Sequence, residues 1–175
     1  MKRIAGVLVC ILVGAFAVAQ MGPPTPAPEL KKLDYFVGTW TVAGDMKASA
    51  FGPGGQMTET EKAAWMDGGF FLVLNADFKS SMGNGSGVAY MGYNAEDKVY
   101  TYDAFNTMGE AEHAKGTLTG DTWTWTSENK VGGKIINGRY TIKELSPTSY
   151  AFKFEMAGAD GSYATIAEGK ANKTH

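Results

Sequence analysis

The chain is poor in the side chains that most often carry chemistry. Its 175 residues include one cysteine and two histidines. The cysteine, Cys10, lies inside an apolar N-terminal run, so the rest of the chain cannot form a disulfide and must rely on a packed core. A nucleophilic triad would have to be built on His113, because His175 is the last residue and is expected to fray. Four of the six prolines fall between Met21 and Pro28, which leaves the remainder nearly free of that kind of break. Basic side chains are also outnumbered, 16 against 18 acidic ones. The resulting negative balance argues against nucleic acid or an anionic membrane surface as a partner.

The one long apolar run is at the N-terminus. Lys2 and Arg3 precede Ile4–Ala19, and Ala17-Val18-Ala19 supplies a small-x-small cleavage pattern. Residues 1–19 are therefore expected to be a signal peptide, leaving Gln20 as the new N-terminus and a periplasmic or secreted protein. The alternative is an uncleaved anchor, but the run would rise only about 24 Å against a hydrocarbon core of roughly 30 Å. Cys10 follows Val9 rather than a small residue, which argues against a lipoprotein. Loss of Lys2 and Arg3 would take the formal net charge from −2 to −4. About 155 residues would remain, enough for one domain that buries roughly 68–70% of its unfolded surface.

Residues 20–28 form a proline-rich linker, and residues 29–171 are expected to form the domain. Pro28 suits a first helical position, and Leu30, Leu33 and Val37 give one apolar stripe over two to three turns. So short a helix is marginal alone and is expected to plug the end of a larger structure. Beyond it the apolar period becomes two. Trp40, Val42, Gly44, Met46 and Ala48 share one face of a first strand, and Thr39, Thr41, Asp45 and Lys47 share the other. Asp67-Gly68-Gly69 between two alternating runs is a hairpin signal.

Continuing in this way gives ten strands. The later ones run over about 56–66, 70–79, 88–93, 99–106, 111–118, 122–127, 134–145, 148–156 and 162–171. Residues 80–87, rich in glycine and serine, are expected to be a loop or barrel lid. Hairpins throughout and no helical crossover predict an all-β, antiparallel, up-and-down barrel of about ten strands with a short N-terminal helical plug. An open sandwich is the runner-up; closure is preferred because it removes unprotected edges.

Leu33-x4-Gly38-x-Trp40 resembles the opening of the calycins, the superfamily of lipocalins, fatty-acid-binding proteins and nitrobindins. Trp65-x-Asp67-Gly68-Gly69-Phe70-Phe71, Gly87-x-x-Tyr90-x-Gly92-Tyr93-Asn94, Lys98-x-Tyr100-x-x-Asp103, Gly116-x-Leu118 and Asp160-Gly161 extend the likeness. Together they are similar to a bacterial lipocalin-like family named only as a domain of unknown function. That resemblance implies a lipocalin-like barrel with an internal cavity and no particular reaction. Two departures stand out. Where lipocalins often pack a late-strand arginine on the tryptophan, the last strand here offers Lys170 and Lys173. Where nitrobindins hold haem through a histidine, Tyr163–Ala171 has none, so haem is disfavoured and no cofactor is expected.

Few constellations suggest catalysis. Gly83-Asn-Gly85-Ser86-Gly87 is neither a nucleophile elbow nor a dinucleotide fingerprint, since no strand–helix unit surrounds it. Glu110-x-Glu112-His113 splits its side chains between two strand faces, so it reads as a solvated charged face and no metal site is expected. Asp103 is the best single acid, set among Tyr100, Tyr102 and Phe105. Its ordinary role would be structural. Arg139 falls, by parity, opposite Ile136, Tyr140 and Ile142; the alternative is that it anchors a carboxylate inside.

Aromatics recur on strand after strand, with methionines among them. A ten-stranded barrel is wider than the eight-stranded kind that side chains can just fill, and such a lining suits a flat or aliphatic guest. The expected ligand-binding residues are Trp65, Tyr90, Tyr102, Asp103, Trp125, Arg139 and Phe152, with no catalytic residue assigned. The leading expectation is an exported barrel that binds a small hydrophobic molecule. The alternatives are a cavity-based isomerase or hydrolase using Asp103 and a tyrosine, and a module that works through its outer face.

Overall fold

Strict alternation of apolar and polar side chains can be satisfied on ten consecutive strands only if one face is common to all of them. In the computed structural model that face is the inside of a closed barrel. The structure describes residues 24–50, 52–131, 133–158 and 160–174. The leader expected at residues 1–19, and the first part of the linker, lie outside the described residues.

A 3₁₀ helix, Pro28–Phe36, opens the fold, followed by strands β1 (Gly38–Met46), β2 (Gly55–Trp65), β3 (Leu72–Ser80), β4 (Gly83–Asn94) and β5 (Val99–Asn106). Strands β6 (Ala111–Thr119), β7 (Thr122–Val131), β8 (Lys134–Ser146), β9 (Ser149–Ala157) and β10 (Tyr163–Thr174) complete the sheet. Each strand pairs antiparallel with its sequence neighbours, and β1 closes the ring on β10 from Thr39↔Thr174 to Met46↔Ala167. Closure leaves no unpaired edge among them.

Two expectations need correction. The segment 80–87 is not a lid. Ser81 and Met82 make a tight turn, and Gly83–Gly87 already belongs to β4, paired with Ala76–Ser80 of β3. The glycines are there for close approach rather than flexibility. A Cβ on Gly85 would come within 2.7 Å of both the Phe78 ring and the Thr107 hydroxyl. The helical stripe also differs. Leu30, Leu33 and Phe36 are the buried positions, three residues apart as a 3₁₀ helix requires, while Val37 only caps the end.

The helix does act as a plug, and polar contacts fix it all round. The indole N–H of Trp65 donates to Asp34 Oδ1 at 2.7 Å, and Tyr100 donates to the Glu29 carbonyl at 3.1 Å. Tyr35 donates to the carbonyls of Ser149 and Ser146, and Lys173 Nζ donates back to the Tyr35 carbonyl. Against this floor sit Trp40 and Trp123, both 0% exposed, with Phe36 5.4 Å from the Trp123 ring. Lys173 also stands over the Trp40 ring at 4.8 Å, so the late-strand cation on the opening tryptophan is a lysine here.

Candidate functional site

Along each strand the inward positions run from the plugged floor to an open mouth. The floor takes Trp40, Trp123 and Tyr150, and above them the barrel is not filled. A cavity extends to the mouth in two overlapping lobes, about 410 Å³ deep inside and about 720 Å³ toward the opening. Both volumes fall in the range of small-molecule sites. Trp125, Tyr140, Tyr150 and Phe152 line the deep lobe, and Phe154, Tyr102 and Leu74 line both. Tyr140 and Phe152 stack at 5.6 Å, and Trp123 and Trp125 at 6.0 Å with nearly parallel rings. Trp125 lies flat on Gly116, where an added Cβ would come within 2.5 Å of its ring carbons.

The unexpected feature is acidic. Strand β2 presents Glu59 and Glu61 inward, between Met57 and Ala63; β6 presents Glu112, and Glu110, just before β6, lies at the mouth. Burial raises the carboxyls of Glu59 and Glu61 to about 8 and about 7. The charge of Glu61 adds to the rise at Glu59, whereas a hydrogen bond from the Tyr150 hydroxyl, 3.4 Å away, restrains it at Glu61. Burial raises Glu112 too, with the Ser127 hydroxyl partly offsetting it. No basic side chain counts among the influences on these groups. Lys47, at the mouth, is paired with Glu168 at 2.8 Å. Glu112 is therefore turned into the cavity rather than part of a solvated outer face, while Glu110 is exposed at the mouth, where the Asn106 amide donates to it.

Desolvation raises the Tyr102 and Tyr140 hydroxyls far above the usual phenol range, and the charges of Glu59 and Glu61 contribute to both shifts. Neither hydroxyl makes a hydrogen bond among the described residues, and Trp125 Nε1 is buried without an acceptor. Buried polar groups are ordinarily partnered, so Trp125 Nε1, beside two cavity-facing hydroxyls, marks this chamber as the candidate site. Among the described residues no three His, Cys, Asp or Glu side chains are grouped so as to hold a metal ion.

The seven residues expected to bind ligand separate into three places. Tyr102, Trp125 and Phe152 line the cavity together. Trp65 points inward but packs on the plug, its N–H held by Asp34. Tyr90, Asp103 and Arg139 are on the outer face, away from the cavity lining. Asp103 Oδ1 is 2.6 Å from His113 Nδ1, and Tyr90 is its cross-strand neighbour on β4. Arg139 donates to Glu155 at 2.8 Å and stacks on the Tyr163 ring at 4.1 Å. Sequence reasoning missed Glu59, Glu61 and Glu112. The signal was present: each shares parity with apolar neighbours, Met57 and Ala63 on β2, and Ala114 and Leu118 on β6.

The barrel has solved counterparts. The crystal structure of Rv2717c from M. tuberculosis matches with a TM-score of 0.59 and 16% identity, over 86% of this chain and 99% of that one. The S-type phycobiliprotein lyase CPES from Guillardia theta matches with a TM-score of 0.54 and 9% identity, over 83% and 91%. At these identities the likeness shows a common fold and nothing finer. Comparison with curated proteins finds no match. A family model described as "Protein of unknown function (DUF1579)" matches residues 25–173.

Proposed function

Since the chain belongs to the family of proteins of unknown function DUF1579, whose description supplies no activity, we propose from the cavity that it is a container for a small, largely apolar molecule. The observation that carries this reading is the unfilled, aromatic-lined chamber above a fully packed floor. Core packing normally leaves few voids larger than a water molecule, and here the space is hundreds of cubic ångströms. The mouth gives a guest its way in. Export, on the leader read in residues 1–19, would place this binding in the periplasm or outside the cell.

Acid–base catalysis is the second reading. Asp103 was the carboxylate expected to serve it, but that side chain is engaged with His113 on the outer face. What favours the reading instead is Glu61, deep in the cavity, raised to near neutrality and 3.4 Å from the Tyr150 hydroxyl.

Native mass spectrometry of protein purified from its own host, beside a denatured control, tests the container reading. The expected result is a mass excess that is lost on denaturation. Extracted guest, returned to fresh protein, should be recovered unchanged. Turnover abolished by Glu61→Gln would favour the enzyme.

A further inference from the structure

The chemistry of the chamber narrows the guest. We propose that the cavity selects an organic cation, a protonated amine or quaternary ammonium carried on an apolar body; this rests on the container reading above. Glu59, Glu61 and Glu112 converge on one chamber without a lysine or arginine to balance them. An acidic cluster alone could be an accident of register. Independently, the deeply enclosed Tyr102 and Tyr140 hydroxyls face the same space with no partner, and each is near enough to Glu59 and Glu61 to feel their charge. Both can accept from the N–H of a protonated amine, while a quaternary head would rest on charge and ring faces alone. The walls beside them, Trp125, Tyr140, Phe152 and Phe154, offer ring faces, and aromatic faces combined with anionic groups are the usual means of holding an ammonium group. In the deep lobe an anionic guest would instead meet only like charge, the lysines Lys47 and Lys130 standing at the mouth.

Burying one carboxylate costs free energy unless a counter-charge accompanies it. A cationic head supplies that charge, while its apolar tail fills the methionine- and aromatic-lined remainder. The groups facing the site are few. They are Glu59 and Glu61 from β2, Tyr102 from β5, Glu112 from β6, Tyr140 from β8 and Tyr150 from β9, with Lys47, Lys130 and Glu110 only at the mouth. Strands β3, β4 and β10 present no charge to the cavity. Cation affinity therefore rises with pH as Glu59 and Glu61 ionise, between about 7 and about 8.

Titration calorimetry with decyltrimethylammonium and decanoate below their micelle concentrations, and decanol below its solubility limit, separates the possibilities. At about pH 8.5 the cation should bind about tenfold or more tighter than the alcohol, a difference of about 1.4 kcal/mol, with decanoate weakest. At about pH 6 that preference should shrink to about threefold or less. Glu59→Gln with Glu61→Gln should remove the preference while leaving alcohol binding intact, which also shows that the variant is folded. Equal binding of cation and alcohol at high pH would overturn the cationic guest but leave the container standing, and a pH-independent preference in the unaltered protein would overturn the part of Glu59 and Glu61 in it. Binding of none of the three would overturn both.

Discussion

The two ends of the barrel are built on opposite terms. At the plugged end Trp40, Leu33 and Trp123 are 0% exposed, and the indole N–H groups of Trp40 and Trp123 are bonded to the Phe36 carbonyl and Glu144. Toward the mouth the aromatic side chains stand around empty space, and Glu59, Tyr102 and Tyr140 make no hydrogen bond among the described residues. The same inward parity on the same ten strands yields a finished core at one end and an unsatisfied chamber at the other. Stability is concentrated in the floor, and the capacity to bind lies above it.

Substitutions that confuse the two ends should have the largest effect. Leu33→Ala or Trp40→Ala empties a packed position and should destabilise the protein by about 3–5 kcal/mol, read from urea unfolding, because the bonded plug holds both sites open. Gly116→Val is expected to cost about 1–3 kcal/mol by driving Trp125 off its seat. It should also weaken binding in the chamber, seen as a shift in tryptophan fluorescence.

A pH series sharpens the contrast further. Carboxyls raised on folding hold more protons in the folded than in the unfolded state. The stability they contribute is complete below the unfolded value near 4.5 and declines as pH rises through about 7 for Glu61 and about 8 for Glu59. The carboxyls lowered on folding, those of Glu155, Glu168, Asp121 and Asp160, change only at acid pH and leave this window alone. The Tm of the empty protein should thus fall between about pH 5 and about pH 8, and Glu59→Gln should flatten the slope and raise the Tm at the alkaline end. Least affected should be Asp103→Asn. Its contact with His113 is exposed, so the loss should stay within about 1 kcal/mol and binding should not change.

How much of this could be read from the sequence varies by level. The strands were legible because a period of two survives through all ten, and the hairpin turns fall where glycine, asparagine and aspartate cluster. The Asn94 motif is a turn device: its Oδ1 accepts from the backbone N–H groups of Glu96 and Asp97. Residues 80–87 were misread because glycine in a loop and glycine beneath an aromatic ring look alike in one dimension. The chamber was half legible. Tyr102, Trp125 and Phe152 could be placed inside by parity and composition. The glutamates were not, because a charged side chain is ordinarily assigned to water and that prior outweighed the parity Glu59, Glu61 and Glu112 share with their apolar neighbours.

The β1–β10 seam joins residues as distant as Thr39 and Thr174, whereas every other strand pairing is between neighbours in the chain. Nine hairpin contacts can therefore zip early and cheaply, and one encounter across the full length of the domain must finish the wall. A chain caught before that encounter is a curled ribbon with two raw borders, open to a second molecule. The interval between the last hairpin and the seam is when this protein is most at risk of joining its own kind.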